Sequence, residues 1–216
     1  MDGLILRKLQ LAIKDIITSK VIDYDAADKN VDTGHGADIH IDFSAPNKYF
    51  VDHITNETTI NCYLISLHED KERRFSSAAP RYKRDDKTYI NKREPRFVEL
   101  HYMITVWCAD QAATAEIEHA LLGYLISGLG GFDFLPNDFL VNNDIDTLGQ
   151  SVNFKLFGSS QSNEVSSQIW QALGTTPKPT LLLSVSLPVD IDSGHDVRRV
   201  EKVIPETGEN FTRIKI

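Results

Sequence analysis

Ten basic side chains crowd between Lys71 and Arg96, against four acidic ones, Glu72, Asp85, Asp86 and Glu94. The segment therefore stands at +6, and with a whole-chain charge of −8 the remaining residues carry −14. Cations at this density act by pairing with carboxylates or phosphates across an interface. A cationic arm on an anionic body thus favours docking on an acidic protein surface or on a second copy of the chain. The candidate partner contacts are Arg73, Arg74, Arg81, Lys83, Arg84, Lys92 and Arg93. Phe75, Tyr82, Tyr89 and Ile90 interleave with them and argue against a merely solvated loop. Arginine with interleaved tyrosine also suits phosphate contact and base stacking, so a nucleic-acid-binding accessory role is the alternative. The sequence pI of about 5.3 weighs against it.

The other polar groups do not assemble into catalytic machinery. Gly128-Leu129-Gly130-Gly131 follows a helical pattern instead of preceding one and lacks the Gly-Lys-Ser/Thr ending of a phosphate cradle, so it reads as a helix stop. His35 and His40 with Asp38 and Asp42 offer imidazole and carboxylate ligands. Yet His40 and Asp42 alternate along one strand, the spacing of a solvated outer face, and no metal site is expected there. His101 and His119 read as partly exposed strand and helix residues, and Asp138, Asp144 and Asp146 as turn formers. With no nucleophile, base or cofactor loop in view, the expectation is a non-enzymatic protein without cofactors. Cys62 and Cys108 stand singly inside strand-like runs and read as small buried hydrophobes, neither disulfide nor metal ligands.

The arm has to be held by something. From Leu4 to Ile17, apolar Leu6, Leu9, Ile13, Ile16 and Ile17 recur every three or four residues and predict an amphipathic helix. Polar residues 23–36 predict a loop, and 38–43 a strand. Thr59 to His68 is apolar on both alternating faces, the pattern of a central strand covered on two sides. Phe97 to Cys108 has an unbroken apolar face at Val98, Leu100, Tyr102, Ile104, Val106 and Cys108. Asp110 is placed to cap a helix running from Gln111 to about Leu129, with Ile117, Leu121, Leu122, Leu125 and Leu129 on one stripe. An apolar connection over 132–140, a strand over 151–157, a helix over 164–173 and a strand over 180–188 follow. Trp107 and Trp170 read as packing residues.

Long strands grouped together, with helices between some of them, predict an α+β fold: a mixed, largely antiparallel sheet with helices packed mainly on one face. The expected organisation is one domain over 1–190, bearing the basic arm at 71–96, and a C-terminal tail over 191–216 that is mobile or forms a strand completed by a partner. The first twenty residues mix charges into their apolar positions, unlike a signal peptide, and no run reaches the length of a membrane helix. A cytoplasmic protein without membrane contact is expected.

Several words of the sequence occur in a telling order. RFVELHYMITVWCA (Arg96 to Ala109) runs into AEIEHALLGYLISGL (Ala115 to Leu129), and EVSSQIWQALG (Glu164 to Gly174) leads through Lys178-Pro179-Thr180 into LLLSVSLPVD, ending at Asp190. The series resembles the N-terminal domain of cap, or tail-terminator, proteins of contractile injection systems, the phage-tail-like particles. The resemblance covers about Met1 to Asp190. It implies a structural subunit that forms a homo-oligomer, a hexameric ring, on the last layer of inner tube and sheath subunits, fixing tube length and closing the particle's end.

Overall fold

The computed structural model describes residues 2–23, 39–54, 58–74, 81–83, 88–91, 94–108, 114–157, 162–191 and 195–198. In chain order the elements are α1 (Ile5–Ile17) with a π-helical extension (Thr18–Ile22), β1 (His40–Asp42), α2 (Lys48–Asp52) and β2 (Thr59–Glu69). Then come β3 (Arg81–Lys83), β4 (Thr88–Asn91), β5 (Arg96–Trp107), α3 (Thr114–Leu129) and α4 (Asn137–Asn142). The chain continues through β6 (Asn153–Leu156), α5 (Ser162–Leu173), β7 (Leu181–Val189) and β8 (His195–Arg198).

Five strands form one sheet in the order β1-β2-β5-β7-β6, in which only the β1–β2 pair is parallel. The α+β class and the mixed, largely antiparallel sheet are thus as expected. Both edge strands are short, which limits the unpaired backbone that the sheet offers to solvent. The even positions of β5, from Leu100 to Val106, meet Ile60 and Cys62 of β2 and Leu181, Leu183, Val185 and Leu187 of β7 on one face. Against that face pack α1, through Leu9, Ala12, Ile13, Ile16 and Ile17, and α3, through Ile117, Leu121, Leu122, Leu125 and Leu129. The α3 stripe is the one the periodicity marks. On α1 the buried stripe takes in Ala12, whereas Leu6, assigned to it by spacing, is exposed near the helix N-terminus. Burial drives the Cys62 thiol far above its ordinary pKa, so it behaves as an inert core group, and neither cysteine is bonded to the other.

The second sheet face carries a smaller cluster: Met103, Trp107 and Trp170, flanked by Phe50 of α2, Tyr63 and Ile65 of β2, and Ile169 and Leu173 of α5. Trp107 and Trp170 are core residues, their ring centroids 6.3 Å apart. Lys178 lies over the Trp107 ring at 4.6 Å and pairs with Glu118 of α3. A bulge between Leu64 and Ser66 changes the parity of β2. Before it, Ile60 and Cys62 face the helices; after it, Leu67 lies opposite Leu100, so Ser66 and His68 turn to the second face, opposite His101 and Glu99. Two-sided cover therefore holds only for the first half of β2; Leu67 and His68 are exposed.

The π-helical turn approaches α3 closely. A Cβ on Gly128 would meet the carbonyl oxygen of Lys20 at 2.5 Å and Val21 Cγ2 at 3.1 Å, so only glycine fits without moving backbone. Gly128→Ala is expected to cost roughly 2 kcal/mol through overpacking, read as a lower urea midpoint at unchanged m.

A second sheet of three strands has the order β3-β4-β8. The arm is thus a hairpin, and residues 195–198, assigned in sequence to a tail, pair with β4 of the same chain, Thr88 opposite Arg198 and Asn91 opposite His195. The order repeats that of the central strands: β3 follows β2, β4 precedes β5, and β8 follows β7. A third strand matters, because an isolated two-stranded hairpin is marginal in water.

Candidate assembly interface

All three central strands meet the arm at one end of the sheet, where Glu69 lies opposite Val98, and Arg96 opposite Val189. The turn leaving β2 is shaped by Asp70. Its Oδ1 accepts the backbone N–H groups of Glu72 (3.1 Å) and Arg73 (3.2 Å), while Oδ2 accepts the Ser186 hydroxyl of β7 at 2.6 Å. This is an Asx-type turn, in which a short carboxylate stands in for backbone acceptors. It delivers Arg73 onto the second sheet face. The guanidinium carbon sits 3.9 Å from the Phe97 ring centroid, and Nη1 donates to the Ser186 carbonyl (3.3 Å) and hydroxyl (3.4 Å). Nη2 donates to the Ser151 carbonyl (2.7 Å) and hydroxyl (3.3 Å). Desolvation lowers the Arg73 pKa, opposed by the Asp70 charge, yet arginine stays protonated at any physiological pH.

Arg74 behaves differently. Its side chain is 53% exposed, and its Nε lies 3.7 Å from Oε1 of Glu69, which also pairs with Arg96. The Arg96 hydrogen bond holds the Glu69 carboxyl below its usual range. Of the seven cations singled out in the sequence, Arg73 is committed within its own fold and Arg74 stands at the surface beside the arm root. Arg81 and Lys83 belong to β3. Arg84, Lys92 and Arg93 lie outside the described residues.

Next to this root, on the same sheet face, the strand register gathers a polar group that sequence reasoning did not single out as a set. His68 Nε2 is 3.2 Å from Glu99 Oε2, and His101 Nε2 is 3.1 Å from Glu99 Oε1. Ser184 of β7 donates to Glu99 Oε1 at 2.6 Å, and Ser66 Oγ lies 3.1 Å from His101 Nδ1. Burial alone would raise the Glu99 pKa, but the hydrogen bonds from Ser184 and His101 and the nearby imidazoles outweigh it, so the carboxyl is held below its usual range. The Glu99-Leu100-His101 spacing on one strand face was the available signal; the β2 bulge hid the third member, His68.

The other histidine-carboxylate pair, His40 and Asp42, lies on β1 at 3.9 Å, beside an open cavity of about 480 Å³ shared with Tyr49, Phe50 and His53. His35 and Asp38 lie outside the described residues. Among the described residues no helix is long and apolar enough to cross a membrane.

The architecture is thus a helix-backed, largely antiparallel five-stranded sheet together with a three-stranded ribbon of order β3-β4-β8. The same fold is found in two solved structures. Over 95% of this chain it matches the sheath/tube terminator of an extracellular contractile injection system, PVC, in the extended state, with a TM-score of 0.59 and 17% identity. Over 92% of the chain it matches the tube-terminating cap of the anti-feeding prophage, with a TM-score of 0.56 and 17% identity. The chain spans 65% and 60% of those two proteins, respectively. No curated protein matches it. Residues 9–201 match the family described as the Pvc16 N-terminal domain, and the chain belongs to that family.

Proposed function

We propose that this protein is a structural subunit that terminates and caps the tube and sheath of a contractile injection system. It does so as a ring of identical copies, six by the sequence resemblance, and not as an enzyme. The observation that carries the reading is the fold shared over 95% of the chain with a sheath/tube terminator, joined to membership of the Pvc16 N-terminal domain family. The charge division supports it: a +6 arm against a −14 remainder makes contact between neighbouring copies, or with acidic patches on tube and sheath subunits, electrostatically favourable. In this reading the body to residue 190 seats on the tube end, and β8 lashes the following segment to the arm. Subunits assemble in the cytoplasm and end as part of the particle.

Particles produced without this protein test the reading directly. Electron microscopy should show tubes of uneven length with open ends, restored to uniform closed particles when the protein is supplied. Closed particles of uniform length in its absence would overturn the assignment.

A further inference from the structure

We infer that His68, Glu99 and His101 form a binding site for a divalent transition-metal ion of the zinc class, independent of the capping assignment. One ligand atom from each of the three lies within 4.8 Å of the others, His68 on β2 and Glu99 and His101 on the paired strand β5. Two ligands bound tetrahedrally to zinc at 2.0–2.1 Å stand roughly 3.3–3.4 Å apart. Each imidazole stands near that spacing from a different Glu99 oxygen, His68 from Oε2 at 3.2 Å and His101 from Oε1 at 3.1 Å, so small side-chain rotations would close the three groups on one ion. The donor set, two imidazoles and one carboxylate, is the combination that zinc and its neighbours in the first transition row accept.

The surroundings are those of a prepared site. Without an ion, His101 Nε2–H donates to Glu99; Ser66 Oγ beside Nδ1 can accept the Nδ1–H of the other tautomer, the one that frees the Nε2 lone pair for an ion. The Ser184 hydroxyl donates to one Glu99 oxygen, fixing the carboxylate plane and leaving the other oxygen at His68. Such outer partners commonly orient metal ligands. His68 is 49% exposed while His101 is 15% exposed, so an ion would enter from the His68 side and keep solvent in its remaining coordination positions. Glu99 and His68 face each other across β2 and β5, one residue from the Glu69 that pairs with Arg74 and Arg96. A bound ion would therefore clamp those strands beside the arm root.

Full-length protein, freed of metal with a chelator and titrated with ZnCl2 by calorimetry, is expected to take up one ion per chain at this site. His68→Ala, chosen because the side chain is half exposed, should retain the wild-type circular dichroism and lose that binding. Ser66→Ala should weaken it about tenfold, as for other outer-shell changes. Co2+ in place of Zn2+ should give visible d–d bands that Glu99→Gln abolishes, and His40→Ala should leave both readouts unchanged. Absence of stoichiometric uptake, or uptake untouched by His68→Ala, or loss of uptake in His40→Ala, would overturn the site.

Discussion

Arg73→Met is expected to lower the unfolding free energy by about 3 kcal/mol in urea denaturation at neutral pH, with an unchanged m-value. The guanidinium is held by Ser186 and Ser151 and lies on Phe97. Hydrogen bonds to a charged group contribute about 1.5–3 kcal/mol net, and a cation on an aromatic face adds roughly 0.5–2 kcal/mol. Methionine keeps the apolar stem over Phe97 but removes every hydrogen bond by which the guanidinium ties the turn to Ser186 and Ser151. Arg74→Met serves as the control: an exposed pair 3.7 Å from Glu69 should change stability by less than about 0.5 kcal/mol. Equal effects of the two substitutions would show that Arg73 does not pin the turn after β2.

The converse holds for function. Arg74→Glu combined with Arg81→Glu and Arg84→Glu should leave the urea midpoint in place yet abolish capping, leaving particles as open as those made without the protein. Like charges juxtaposed across an interface cost several kcal/mol, and each 1.4 kcal/mol is tenfold, so if the arm docks on an acidic partner as proposed, that affinity should fall more than about 100-fold. For the unaltered protein, binding to tube and sheath subunits followed by light scattering should weaken as salt rises, since exposed charges are screened. Arg73 is left out of this set because its loss would confound stability with docking. Normal capping by the triple variant would remove the arm's charge from the mechanism while leaving the fold-based assignment standing.

Much of the body was legible because burial imposes periodicity. The α3 stripe and the alternating face of β5 reappear as core contacts residue for residue. Shorter elements left no period to read: α2 is five residues long, capped by Asn47, whose side chain accepts the Phe50 N–H at 3.0 Å, and α4 occupies what looked like an irregular apolar connection. The strand at 195–198 was hidden for another reason. Its partner β4 lies about a hundred residues upstream, and a four-residue strand is specified by what it pairs with more than by its own composition. Charge counting found the arm but could not sort its arginines. Arg73 and Arg74 are adjacent in sequence and equal in charge, and only the positions of Ser151, Ser186 and Phe97 make one a fixture of the fold and the other a surface group. The histidine cluster escaped because one extra residue at the Leu64/Ser66 bulge inverts the face on which His68 emerges.

The ribbon is joined to the body through β2, β5 and β7 at the same end of the sheet. A tug on it enters the molecule along three adjacent backbone routes, each leading into the middle of the five-stranded sheet. Pulling along strands strains many ladder hydrogen bonds at once, whereas pulling across an edge opens them one after another. A contact made by the ribbon would thus load the central strands β2, β5 and β7 before the short edge strands β1 and β6.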